Sequence, residues 1–160
     1  MRFMTHHAEP EELLDAVLAP VHDEWLEEVR RVLVPATTPN APFWDRWSAV
    51  RYLNDLFLAR LRLERGLVAD LRPFVPAARM AALEEAGDRL TRLYLALDQL
   101  GRRRGTAAAF AGVTDRFLEA LGRWCAEIEI AASWVSAGEL GNEARRIVAR
   151  LEPVVLQRAV

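Results

Sequence analysis

The chain has 160 residues, a hydrophobic fraction of 52% and a formal net charge of -2. A chain of this length and composition forms one globular domain with a substantial core, which excludes a protein that is disordered throughout. The single cysteine excludes an internal disulfide framework, and the pI near 6.0 argues against a dedicated nucleic-acid partner. All 21 basic residues are arginine, which indicates the codon bias of a GC-rich, bacterial genome.

Residues 1–8 are expected to form a flexible N-terminal tail, and residues 9–160 a single domain. The tail lacks the apolar run of a signal peptide, and no later stretch is long and uncharged enough for a membrane span. We therefore expect a cytoplasmic protein with no membrane partner.

The first predicted helix runs from Pro10 to Leu33, with apolar residues at steps of three and four. Pro20 lies inside it, and the proline ring clashes with the preceding helical turn. The sequence therefore predicts a kink or a break near Ala19.

The second predicted helix runs from Pro42 to Leu71, and proline suits the first turn of a helix. Its buried seam is apolar except for Asn54 and Glu64. A buried polar group costs roughly 1–3 kcal/mol when it lacks a partner. We therefore expect these two residues either to find partners such as Tyr94 and an arginine, or to serve a site.

The third predicted helix runs from Ala77 to Leu100. Gly87 lies on its apolar face, which predicts a close crossing by another helix. Gly101 follows the helix and is expected to adopt the left-handed conformation that often ends helices.

The fourth predicted helix runs from Thr106 to Val135 and is the most apolar, so it should lie centrally. A shorter fifth helix is expected to begin near Asn142 and to be limited by Pro153. No segment alternates with a period of two for long enough to predict a strand. The predicted fold is an all-α, single-domain bundle of four long helices plus a shorter C-terminal fifth helix, with mostly antiparallel neighbours.

Tests for catalytic and metal chemistry give no positive result. The Glu-x-x-His pairs of di-iron bundles are absent, as are Gly-rich phosphate loops and nucleophile-elbow glycines. Cys125 lies on an apolar flank, where Glu129 would raise its pKa, so a structural thiol is expected. His22 is expected to be half-buried at the edge of the first helix's apolar stripe. We predict no cofactor and no metal site, and we favour a protein that is not an enzyme.

Acidic residues on apolar faces predict ion pairs rather than catalysis. Glu127 and Glu129 point to opposite flanks of the fourth helix and cannot pair with each other. If Glu64 met either of them in the interior, one carboxylate would be protonated or matched by arginine.

Three consecutive arginines precede the fourth helix. Arg102, Arg103 and Arg104 stand just before Thr106, a good N-cap, and the start of a helix offers free N–H groups. The pattern is compatible with an anion-binding corner and equally with a solvated charged turn.

Two functional hypotheses follow from the apolar faces. The first is a non-enzymatic bundle that acts through protein–protein contacts, as a homo-oligomer or with a protein partner, because the apolar arcs are wider than one seam requires. The alternative is a bundle, or an enzyme built on one, that binds a small apolar or aromatic ligand in a tryptophan-lined pocket. The residues expected to form that pocket are Trp25, Trp47, Asn54, Glu64, Tyr94 and Trp124.

Overall fold

A computed structural model of the chain describes residues 10–103 and 107–134, with side chains from Leu18 onward. The described residues contain helix and no strand, so the predicted all-α bundle is confirmed for this part of the chain. Four long α-helices account for most of it: α1 (Pro10–Leu33), α2 (Phe43–Leu71), α3 (Ala77–Gly101) and α4 (Ala107–Ser133). Two short 3₁₀ segments, Val34–Thr37 and Arg72–Phe74, follow α1 and α2.

The helix boundaries agree with the proline pattern to within one or two residues. Pro42 and Pro76 are the N-caps of α2 and α3, with φ of -63° and -57° and extended ψ values. A residue at this position donates no bond within the helix, so the missing N–H of proline has no cost there. α1 continues through Pro20 as one helix, so the chain does not break at that residue.

The end of α3 differs from the prediction. Gly101 is the last residue of the helix, and the C-cap is Arg102 with φ -96° and ψ 1°. The left-handed cap expected at Gly101 was therefore wrong. Gly101 is buried, and a Cβ atom there would overlap the side chain of Val50 on α2. The position requires glycine for its small size, not for its backbone freedom.

α4 lies at the centre of the described bundle and contacts α1, α2 and α3. Its closest packing is with α3, where a Cβ atom on Gly87 would lie 2.6 Å from Cζ3 of Trp124. The close helix crossing predicted at Gly87 is confirmed. Aromatic rings continue the core across the bundle: Trp25 stacks on Phe57, whose ring also contacts those of Tyr94 and Phe117.

Three expectations lie outside the described residues: the N-terminal tail, the fifth helix near Asn142 and the N-cap role of Thr106. In the described part of the chain, no helix combines the length and the apolar character required to cross a membrane.

Candidate functional site

A cluster of charged side chains joins α1, α2 and α4 inside the bundle. The imidazole of His22, on α1, is fully buried and lies between two carboxylates. Its Nδ1 is 2.7 Å from Oε2 of Glu129 on α4, and its Nε2 is hydrogen-bonded to Oε1 of Glu64 on α2. Glu64 is fully buried, whereas the side chain of Glu129 is 38% exposed at the rim. Three helices therefore meet on one histidine.

An arginine completes the cluster. Nε of Arg60 lies 3.6 Å from Oε2 of Glu64, one turn away on the same helix. The guanidinium also lies over the ring of Trp25, 5.0 Å from its centroid, in a cation–π contact. With His22 protonated, two cations balance the two carboxylates of Glu64 and Glu129. This arrangement matches the sequence expectation that a buried Glu64 would be matched by arginine.

The environment of His22 has opposing effects on its charge. Burial lowers the pKa of His22, but hydrogen bonds to Glu129 and Glu64 and the charge of Glu64 raise it. The charge of Arg60 lowers it, and the net pKa lies above the usual 6.5. The folded chain therefore favours the imidazolium form. A doubly protonated imidazole can donate from both nitrogens, as two carboxylate acceptors require.

Cys125 lies in the same interior region and is buried. Burial raises the pKa of the Cys125 thiol well above its usual value, and the charges of Glu64 and Glu129 add to this effect. The thiol therefore stays protonated, as expected for a structural cysteine. The predicted influence of Glu129 has the right direction, but burial is the larger cause.

A second polar cluster connects α2 and α3. The hydroxyl of Tyr94 donates to Oδ1 of Asn54, and Nδ2 of Asn54 donates to Oδ1 of Asp98 across 3.5 Å. Nε of Arg102 donates to the same carboxylate at 3.2 Å. Tyr94 is confirmed as the partner of Asn54. Both polar interruptions of the α2 seam thus have protein partners.

The six residues predicted to line a ligand pocket occupy three neighbourhoods. Trp25, Asn54, Glu64 and Tyr94 belong to the connected interior formed by the two polar clusters and the aromatic stack. Trp124 is buried in the crossing of α3 and α4. Trp47 is half-buried near the start of α2, where its ring meets that of Trp44 edge-on.

The groove beside Trp124 is small. It has a volume of about 230 Å³ and runs between α2 and α3, where Arg65, Arg72, Glu84 and Asp88 supply its charges. Pockets for drug-sized ligands are typically about 300–1,000 Å³. Arg72 is itself paired with Glu84 at 3.0 Å, so part of this charge is already balanced.

The arginine corner is described only at its beginning. Arg102 follows α3 and is paired with Asp98, one turn earlier. Arg103 is exposed, and Arg104 and Thr106 lie outside the described residues. The anion-binding corner formed by Arg102 to Arg104 and Thr106 stays a prediction.

Glu127 forms the carboxylate–arginine pairs that were expected of acidic residues on an apolar face. Its Oε2 lies 3.4 Å from Nη1 of Arg79 on α3, and its Oε1 lies 3.3 Å from Nε of Arg123 on α4. Glu127 is buried and Glu129 points to the other flank, towards His22. The pair with Arg79 joins α3 to α4, the pair with Arg123 lies within α4, and both engage the carboxylate of Glu127.

Two aromatic side chains on the outer surface of α2 are exposed to solvent. Trp44 and Tyr52 are 59% and 56% exposed, and Leu58 is 44% exposed. The ring of Trp44 contacts Trp47, over which the guanidinium of Arg51 lies at 5.3 Å. We refer to Trp44, Trp47, Tyr52 and Leu58 as the α2 surface.

Comparisons with known proteins do not identify a relative. No family model, curated protein or solved structure matches the chain. Within residues 10–103 and 107–134, no three side chains among His, Cys, Asp and Glu are placed to hold a metal ion.

The role of His22 is the feature that sequence reasoning missed. The sequence placed it half-buried at the edge of a stripe, whereas it is fully buried and bridges two helices. The available signal was that Glu64 and Glu129 are isolated acids on apolar faces of different helices. Because buried charges need partners, these acids indicated a basic residue near them, and His22 on α1 was one candidate.

Proposed function

We propose that this protein is a non-enzymatic helical bundle that acts through protein–protein contacts as a homo-oligomer. The observation that carries this proposal is the α2 surface, where Trp44, Tyr52 and Leu58 of one helix are exposed to solvent. Burying a large apolar side chain is worth about 1.5–3 kcal/mol, so three exposed ones on one helix favour association.

The residue types of this surface suit a protein contact. Trp and Tyr, together with Arg, are the residues most enriched at binding hot spots. The edge-on contact between Trp44 and Trp47, with rings 5.8 Å apart, limits the freedom of both indoles before any partner arrives. An ordered side chain loses less conformational entropy on binding.

The interior gives less support to a ligand-binding role. Asn54 is hydrogen-bonded to Tyr94, and Glu64 is bonded to His22 and paired with Arg60. A ligand at either cluster would have to displace these partners. The described grooves beside α2 are lined by residues other than Asn54 and Glu64.

The test is the mass of the protein in solution. Multi-angle light scattering of the full chain at micromolar concentration should give at least twice the 18.1 kDa of one chain. The double variant Trp44→Ser, Tyr52→Ser should shift the mass towards one chain. The matched control is Leu95→Ser, Ile130→Ser, which removes two exposed apolar side chains from α3 and α4 and should leave the mass unchanged.

A wild-type protein that stays monomeric across a dilution series would overturn the proposal. If the double variant on α2 assembles as the wild type does and the control variant becomes monomeric, the contact between copies does not lie on α2. Circular dichroism of each variant shows that the helices are intact.

A further inference from the structure

We infer that the surface shared by α1 and α2 is the dimer interface, with α1 of one copy lying over α2 of the other about a twofold axis parallel to the helices. This inference rests on the proposed function and names its partner as a second copy of the chain. It rests on two observations, a groove lined by both helices and two pairs of opposite charges at matching levels, and on the symmetry that such a pattern permits.

The groove lies between the outer sides of α1 and α2. It has a volume of about 310 Å³ and is lined by Glu28, Arg31, Val32, Tyr52 and Leu56. Its apolar residues come from both helices, and the ring of Tyr52 is 56% exposed. A specific dimer buries about 800 Å² on each partner. Because residues of both helices line the groove, an interface centred on it uses both α1 and α2.

The two helices run in opposite directions. Contacts between their side chains show which residues of α1 and α2 lie at the same level along the bundle axis. His22 is bonded to Glu64, and the ring of Trp25 stacks on Phe57 at 5.6 Å. Val32 lines the groove together with Tyr52. Each step along α1 thus corresponds to a step back along α2.

Two pairs of charges on the exposed sides follow this register with opposite signs, while Glu28, which also lines the groove, stands between Glu24 and Arg31 on α1. Glu24 on α1 is level with the turn of α2 that carries Arg62, since neighbouring His22 and Trp25 contact Glu64 and Phe57. Arg31 is level with the turn of Tyr52 and Asp55, because it shares the groove with Tyr52. All four charged side chains are exposed. The spacing of seven residues keeps each pair of charges on one side of its helix.

Symmetry turns this pattern into complementarity between two copies. A twofold axis parallel to the helices, passing between α1 and α2, places α1 of one copy over α2 of the other and preserves every level. Glu24 then faces Arg62 of the other copy, and Arg31 faces Asp55 of the other copy. Each contact occurs twice, as in every twofold interface, and the two grooves meet on the axis.

The experiment exchanges charges between copies. Glu24→Arg alone sets a second cation against Arg62, and Arg62→Glu alone sets a second carboxylate against Glu24. Two contacts change sign in each dimer, so we expect each single variant to dimerise about tenfold more weakly at low salt. In an equimolar mixture of the two variants, a mixed dimer contains one copy of each. Both of its contacts join opposite charges: at one contact both residues are substituted, and at the other contact both residues are native. The mixture should therefore dimerise more tightly than either variant alone, with the mixed species dominant in native mass spectrometry.

The mixture separates contacts between copies from contacts within one chain. An ion pair within a chain stays broken in both variants, so mixing would then restore nothing, and this result would overturn the inference. Arg31→Asp mixed with Asp55→Arg repeats the test at the second contact. Arg92→Glu, a charge reversal on the exposed side of α3, is the control and should leave the dimer unaffected.

The outcomes also distinguish this inference from the proposed function. If the wild type is a dimer and every charge variant of α1 and α2 dimerises like it, the interface lies elsewhere and only this inference fails. If the wild type is a monomer, the proposed function fails with it. A Tyr52→Ser variant that weakens the dimer while its fold persists supports the groove as the centre of the contact.

Discussion

Replacing His22 by alanine should destabilise the protein strongly and in a way that depends on pH. The substitution leaves Glu64, which is fully buried, without its imidazole partner. Removing one member of a buried ion pair costs about 3–5 kcal/mol. The contact with Glu129 adds at most about 1 kcal/mol, because that carboxylate is 38% exposed. We expect a loss of about 3–5 kcal/mol in the free energy of unfolding where His22 is protonated.

The pH dependence has a definite sign. Burial lowers the pKa of His22, but the hydrogen bonds to Glu129 and Glu64 outweigh it, so the folded-state pKa lies above the unfolded value of 6.5. A raised pKa means that the folded state binds the proton more tightly. The stabilisation is therefore complete below pH 6.5 and is lost as the pH rises through the folded-state pKa. The difference between the wild type and His22→Ala should shrink from acidic to alkaline pH.

Urea denaturation followed by tryptophan fluorescence measures both quantities. The cavity left by alanine has the same cost at every pH, so it does not contribute to the change of the difference with pH. The other two histidines, His6 and His7, are present in both proteins and cancel. Parallel pH profiles for the wild type and the variant would refute the reasoning, as would a loss below about 1 kcal/mol at acidic pH.

Two further substitutions test the packing and the second polar cluster. Gly87→Ala should lower the melting temperature, because its Cβ would lie 2.6 Å from Trp124 and overpacking costs about 1–3 kcal/mol. Gly112→Ala, with open space around it, should instead raise the free energy of unfolding by about 0.5–1 kcal/mol. Asn54→Leu should lower the free energy of unfolding by about 1–3 kcal/mol because it removes the acceptor of the Tyr94 hydroxyl, and the loss should be smaller in a Tyr94→Phe background. Equal effects of the two glycine substitutions, or a more stable Asn54→Leu protein, would contradict these expectations.

The described helices could be predicted from the sequence because their signals are local. Apolar residues at steps of three and four, and prolines at Pro42 and Pro76, define α1 to α4 within one or two residues. Gly101 shows the limit of such signals. A glycine after an apolar helix is compatible both with a left-handed cap and with close packing, and the position of Val50 on another helix decides between them.

The candidate site was predictable only in part, because it depends on contacts between distant segments. Glu64 and Asn54 were recognisable as polar residues on an apolar seam, and Tyr94 as a partner of Asn54. The sequence did not show that His22 would reach Glu64 and Glu129 together. That contact depends on how α1 packs between α2 and α4, which no local pattern specifies.

The contacts of His22 also have a consequence for the order of folding. His22 and Glu129 are 107 positions apart in the chain, so their contact closes a very long loop. α3 and α4 are neighbours in sequence and pack closely through Gly87 and Trp124. Because long loops cost more entropy to close, the α3–α4 hairpin should assemble early and α1 should dock late. Substitutions at the glycine crossing should then slow folding, whereas substitutions at His22 should mainly accelerate unfolding.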